Sequence, residues 1–373
     1  MFSPKLIRSL RVASYALQAG CRQRRSFTVD LRSDTVTKPT AAMLRAAYEC
    51  SVGDDVFGED STVNELEQRV AALAGHEAAL FCASGTMANQ IGLRVHLTQP
   101  PHSVLCDARA HIHRYECGGI AYHSQAATSA LEPANGRHLT VKDVERGLVE
   151  DDQHNAPTRV ISLENTLNGT ILPYDEIGRI HALARNKGIA MHLDGARLWN
   201  ASVATGVSLE QYGALFDSMS LCLSKGMGCP VGSVLVGSES FIHRARWLRK
   251  LFGGGWRQAG VLASMGLVAL EDYAVRMAHD HARAAQLAQT CTQFGFHLAL
   301  PVDTNMVFLD TTPLSVDASL LAEALAREDV LVMPLDRSTL RMVLHHQVLA
   351  NVLCTNAWAT LDGAHGSTAA YSL

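Results

Sequence analysis

Past residue 27 the chain alternates short apolar runs with longer stretches whose apolar positions recur every three or four residues. The short runs are AALFC (78–82), SVLCD (103–107), RVISLEN (159–165), IAMHLDG (189–195), SMSLCLS (218–224) and GSVLVG (232–237). Most are apolar at successive rather than alternate positions, the pattern of strands covered on both faces. Between them, STVNELEQRVAALAG reads as a helix opening at Ser61 or Thr62 and closing near Gly75. YDEIGRIHALARNKG reads as a second, starting after Pro173 and stopping at Gly188. EPANGRH (132–138) and EDDQHNAPT (150–158) are loops by composition. Strands alternating with helices predict a mainly parallel α/β sheet. A long helical stretch from Gly260 then leads to a few short strands, MVFLD and VLVMP among them, around the helix SLLAEALARED. The predicted organisation is a large α/β domain over 28–275, including an N-terminal segment, and a smaller C-terminal α+β domain over 276–373.

Composition narrows the function classes. The 373 residues are 47% hydrophobic and 18% charged with a net charge of −4, as in an ordinary globular protein with a sizeable core. The body of the chain holds no basic block, which argues against nucleic acid as the main partner. Nine cysteines occur without a C-x-x-C pair, so neither a zinc site nor a disulfide framework is expected. No apolar run has the length to cross a bilayer. The first residues differ from the rest. Lys5, Arg8, Arg11, Arg22, Arg24 and Arg25 precede the first acidic residue, Asp30, and Leu6, Leu10, Ala13 and Leu17 recur at helical spacing. A basic, acid-free, amphipathic stretch reads as a mitochondrial targeting peptide over 1–27; a basic tail on a cytosolic protein is the alternative.

The candidate chemistry lies at the strand ends, where parallel α/β sheets bind small molecules. After AALFC comes Ala83-Ser84-Gly85-Thr86 and a helical pattern, a phosphate cradle of free amides at a helix N-terminus. After SVLC come Asp107 and His111, after RVISL Glu164, Asn165 and Thr166, and after IAMHL Asp194 and Arg197. SMSLCLS ends at Lys225 among glycines. Singly, each is an ordinary loop residue. Together they supply what pyridoxal 5′-phosphate needs: an amine for the aldehyde, a phosphate cradle, a carboxylate for the ring nitrogen and a guanidinium for an amino-acid carboxylate. Lys225 is the natural amine and Asp194 the natural partner of the ring nitrogen.

DLRSDTVTKPT (30–40), VGDDVFGEDSTVNELE (52–67), ALFCASGTMANQ (79–90), LDGARLWNA (193–201), CLSKGMGCPVGSVLVG (222–237) and GGGWRQAGVLA (253–263) resemble the threonine aldolases, in register from about 29 to 346. The resemblance implies a fold-type I pyridoxal-phosphate enzyme of the β-eliminating lyase superfamily that cleaves L-threonine or L-allo-threonine to glycine and acetaldehyde. It implies that Lys225 binds the cofactor, Asp194 pairs with its ring nitrogen and His111 stacks on the ring and serves as base. Ser84, Gly85 and Thr86 would hold the phosphate, with Lys250 and Arg257 reaching in from a neighbouring subunit of a dimer or tetramer. Ser33, Arg197 and Arg341 would grip the substrate carboxylate. Three departures stand out. Leu167 replaces a histidine that contacts the substrate hydroxyl, Trp256 replaces a methionine, and the chain past His346 is short and polar. Another pyridoxal-phosphate lyase acting on β-hydroxy amino acids, such as a phenylserine aldolase, and an inactive cofactor-binding homologue remain the alternatives.

Overall fold

The apolar runs become strands because each has both faces to hide. A computed structural model describes residues 29–348. The basic leader and nearly all of the chain end after His346 lie outside them. After a two-residue strand, β1 (Val29–Asp30), the chain builds a seven-stranded sheet. Its strands are β2 (Ala78–Cys82), β3 (Ser103–Asp107), β4 (Ala127–Leu131), β5 (Thr158–Glu164), β6 (Ala190–Gly195), β7 (Ser218–Cys222) and β8 (Ser233–Gly237). They lie in the order β2-β8-β7-β6-β5-β3-β4. β3 to β7 pair in parallel, while β8 is antiparallel to both β2 and β7. The exception has a simple cause. Cys222 and Ser233 are joined by a glycine-rich turn with no crossover helix, and a parallel neighbour requires a crossover.

β4 was not predicted from the sequence. ATSAL is short, lies at the sheet edge and is half exposed, so burial left no apolar run to read. The two predicted helices form as Ser61–Ala74, capped by the Asp60 side chain on the Val63 amide (3.1 Å), and Tyr174–Lys187, closed by left-handed Gly188.

The second unit is a four-stranded antiparallel sheet in the order β12-β13-β10-β9, from β9 (His297–Leu298), β10 (Met306–Asp310), β12 (Met333–Pro334) and β13 (Thr339–Val343). VLVMP is therefore not one strand. Its first half, β11 (Val330–Leu331), pairs in parallel with β1, and its second half joins β13. The 34-residue helix Gly260–Gln293 serves both units. Its first half buries Ala263, Ala269 and Met277 in the core beneath the large sheet; its second half buries Ala284, Leu287 and Cys291 in the smaller core. Val29 and Leu31 belong to that smaller core. The Leu31 amide donates to Leu331 (2.7 Å) and its carbonyl accepts from Val343 (2.8 Å). This strap delivers Ser33 and Asp34 to the carboxyl edge of the large sheet.

Candidate active site

β2, β3, β5, β6 and β7 all end at the same edge of the sheet, and β8 begins there beside Cys82 and Cys222. At one end of the cluster, Ser84 caps the helix Gly85–His96, its Oγ accepting from the Met87 amide at 3.1 Å. The amides of Gly85 and Thr86 find no acceptor among the described residues. A Cβ on Gly85 would meet only the Ser233 Oγ, at 3.5 Å, and that buried hydroxyl has no partner either. Two open N–H groups, a hydroxyl and a helix N-terminus suit an anion.

Asp194, at the end of β6, is buried. Its Oδ2 accepts from Asn89 Nδ2 at 2.8 Å and its Oδ1 from the Ala196 amide at 3.0 Å. His111 opens a single helical turn and its amide donates to Glu164 Oε2 at 2.7 Å. Its Nδ1 lies 2.8 Å from Glu116 Oε1, which also accepts from Asn89 at 3.0 Å. A carboxylate accepts only, so the hydrogen-bond network assigns a proton to Nδ1, and in the neutral ring Nε2 carries the lone pair. The ligand atoms of His111, Glu116 and Asp194 lie within 4.8 Å of one another. Burial, and then the charge of Asp194, push the neighbouring Glu164 carboxyl well above its usual range.

Lys225 follows β7. Its carbonyl accepts from the Gly228 amide at 2.8 Å and from Thr37 Oγ1 at 3.3 Å. The amine forms no ion pair among the described residues, though its charge is felt by Asp34 and Glu164.

At the carboxylate end, Ser33 caps the turn Asp34–Val36. Arg197 is gripped by Asp34 through two bonds, Nε to Oδ2 at 2.9 Å and Nη2 to Oδ1 at 2.6 Å. Burial alone would raise the Asp34 carboxyl, but the Arg197 charge and its paired bonds hold it below the usual range. Arg341, on β13, donates from Nη2 to the Arg32 carbonyl at 3.0 Å, while its buried Nε has no acceptor and no carboxylate pairs with it among the described residues. Burial and the charge of Arg197 lower its pKa.

The structure thus brings Ser33, Ser84, Gly85, Thr86, His111, Asp194, Arg197, Lys225 and Arg341 to one edge. Lys250 and Arg257 stand apart on an exposed surface, Arg257 paired with Asp54 at 2.9 Å. Trp256 stacks on Phe81 (centroids 5.4 Å apart). Four residues escaped the sequence reading. Asp34, Asn89 and Ser233 lie inside the motifs DLRSDT, ASGTMANQ and CLSKGMGCPVGSVLVG, where nothing marks them from their neighbours; Glu116 carries no signal that separates it from an ordinary polar residue.

Residues 30–313 match the model of the β-eliminating lyases. The chain belongs to the β-eliminating lyase family. Within it, this lyase stands with the threonine aldolases. It is 47% identical to the low specificity L-threonine aldolase of Saccharomyces cerevisiae over 87% of this chain and 83% of that one. It is 39% identical to the low specificity L-threonine aldolase of Escherichia coli over 87% and 97%. The threonine aldolase of Leishmania major shares the fold, with a TM-score of 0.74 at 21% identity, covering 91% of this chain and 98% of that one.

Proposed function

We propose that this β-eliminating lyase cleaves L-threonine and L-allo-threonine between Cα and Cβ, giving glycine and acetaldehyde, with pyridoxal 5′-phosphate as cofactor. The residues fit that group. The open amides of Gly85 and Thr86 and the unpartnered Ser233 hydroxyl suit its phosphate, Asp194 keeps lone pairs for a ring N–H, and Lys225 is an amine free to anchor its aldehyde. Bound there, the cofactor supplies a protonated ring that takes up the electron pair released when the Cα–Cβ bond breaks. Everything else falls to the chain. Arg341, whose guanidinium has no carboxylate partner among the described residues, holds the substrate carboxylate with Ser33 and the remaining donors of Arg197. Fixing that carboxylate limits the orientations open to Cα–Cβ. His111 accepts the β-hydroxyl proton at Nε2, while its Nδ1–H stays on Glu116. The proton leaving the hydroxyl balances the one glycine gains at Cα.

A homo-oligomer completes the phosphate end, with Lys250 and Arg257 of the partner subunit adding two cations. Exposed Phe57, Trp247 and Leu251 near these cations give that surface an apolar face to bury.

The observation that carries the reading is the Lys225 amine, without an ion pair among the described residues, at one edge with Asp194, His111 and the open amides. The test is an absorbance spectrum of the purified protein with added cofactor, and acetaldehyde release from L-allo-threonine followed with a coupled dehydrogenase. A visible band lost in Lys225→Ala, with acetaldehyde formed by the wild-type chain, is expected. A band without acetaldehyde overturns the aldolase reading, and no band overturns the cofactor reading.

A further inference from the structure

Behind Asp194 a line of polar side chains runs through the interior, away from the substrate edge. Asn89 Nδ2 donates to both Asp194 and Glu116. Both its hydrogens are spent on carboxylates, which turns its Oδ1 toward His192 Nε2, 3.2 Å away. An amide oxygen only accepts, so His192 carries its proton on Nε2 and presents a lone pair on Nδ1. Ser218 Oγ lies 2.8 Å from that Nδ1 and must donate its one hydrogen to it. The same oxygen is 2.8 Å from His96 Nε2, which must therefore be the donor. Each link fixes the next. The line reads His96 to Ser218 to His192 to Asn89 to Asp194, with every hydrogen pointing toward the carboxylate.

Two further observations agree. His192 and His96 are pulled down to about 3 and about 4, both by burial, and the charge of Asp217 only partly offsets this for His96. Both are therefore neutral near pH 7, as the derived tautomers require. His192 also sits where a Cβ on Gly92 would stand, 2.8 Å from its Cε1, so the helix carrying Asn89 closes onto the ring because Gly92 lacks a side chain. Burying two imidazoles, an amide and a hydroxyl under a sheet is costly unless the network does something. Here it ends, through Asn89, on Asp194 and on the Glu116 that holds His111, and Asp194 is the carboxylate placed for the ring nitrogen.

We propose that Asn89, His192, Ser218 and His96 are positioning residues, a directed hydrogen-bond relay that fixes the Asp194 carboxylate in the orientation that receives the ring nitrogen of the cofactor; this rests on the function proposed above. Leucine at 192 keeps the bulk but removes the donor to Asn89, whereas glutamine supplies both a donor and an acceptor.

The experiment measures cofactor affinity by titration of the purified chain, and the pH dependence of the visible band, in wild type, His192→Leu, His192→Gln and Ser218→Ala. Thermal unfolding of each cofactor-free chain is followed alongside. His192→Leu is expected to lose about tenfold in cofactor affinity and to shift the band's pH profile, a size typical of outer partners that orient a ligand group. His192→Gln recovers most of it, and Ser218→Ala shows a smaller loss in the same direction. Wild-type affinity and pH profile in both His192→Leu and Ser218→Ala overturn the relay and leave the proposed function standing. Equal losses in His192→Leu and His192→Gln, tracking a lowered unfolding midpoint, also overturn it, because packing alone would then explain them. If His192→Leu does not fold, Ser218→Ala, which removes one oxygen, decides. A wild-type chain that forms no band overturns the proposed function and the relay together.

Discussion

Leu167 is buried beside the end of β5, in a small cavity shared with Asp107, Arg137, Glu164 and Thr170. An apolar side chain there neither bonds a hydroxyl nor carries a proton, so the proposed reaction leaves the β-hydroxyl proton to His111 Nε2. Leu167→His is expected to raise kcat/KM for threonine about tenfold. It should also lower the ratio of phenylserine to threonine cleavage; unchanged values for both substrates would remove Leu167 from the substrate's surroundings. Asp34 is the second residue with a measurable consequence. It is fully buried and carries Arg197, whose side chain is 15% exposed, so Asp34→Asn leaves a mostly buried guanidinium without its charge partner and should cost about 2–4 kcal/mol in urea unfolding. The pH sign follows from its depressed carboxyl. Below about pH 4, the unfolded chain takes up a proton that folded Asp34 still refuses, so its contribution is complete above that pH and is lost as pH falls. The urea midpoint of wild type, compared with Asp34→Asn between pH 3 and 6, measures this, and the gap should close toward pH 3.

At the scale of elements, the helix Gly85–His96 makes the tightest demand. It caps with Ser84, offers two amides at its start, places Asn89 on Asp194 and approaches the sheet through Gly92. Gly92→Ala puts a methyl 2.8 Å from the His192 Cε1, closer than van der Waals contact allows, and should cost about 1–3 kcal/mol of stability. It should also weaken cofactor affinity, and a thermal midpoint equal to wild type would show that the helix can shift without loss. Elements were legible where burial wrote an apolar run: β2, β3, β5, β6, β7 and β8 lie within a residue or so of their predicted spans. β4 was not, because a half-exposed edge strand needs no such run. The direction of β8 and the division of VLVMP into β11 and β12 were not readable either, since both depend on which distant strand lies alongside.

Two expectations belong to the whole molecule. His192, His96, His281 and His346 are all lowered by burial, to between about 3 and about 4. In the unfolded chain a histidine binds its proton near pH 6.5, so the folded state is most stable above that value and loses stability as pH falls toward 4. For the fully buried His192 the slope is about 1.4 kcal/mol per pH unit across that window. Denaturant midpoints should therefore drop steadily from pH 6.5 to 4, and a flat profile would contradict the buried neutral state. A site shared between subunits, as proposed above, predicts subunit complementation. Co-expressed Lys225→Ala and Arg257→Ala chains, each inactive alone, should regain about a quarter of wild-type activity if hybrids carry one intact site per dimer. No recovery would place Arg257 outside the partner's site.

The sequence by itself determined the parallel α/β class, the second α+β unit, and the gathering of Lys225, Asp194, His111, the Ser84-Gly85-Thr86 turn and Arg197 at one sheet edge; Arg341, inside β13, was named only through the family resemblance. It could do so because burial on both faces leaves continuous apolar runs, and polar residues that follow such runs stand at one sheet edge. Tertiary structure alone decided the rest. It joined Asp34 to Arg197, Glu116 to His111, and Asn89 through His192 and Ser218 to His96. A hydrogen bond depends on distance and direction between residues that can lie more than a hundred positions apart, as Asn89 and Asp194 do. No local pattern of apolar and polar residues records that separation being closed.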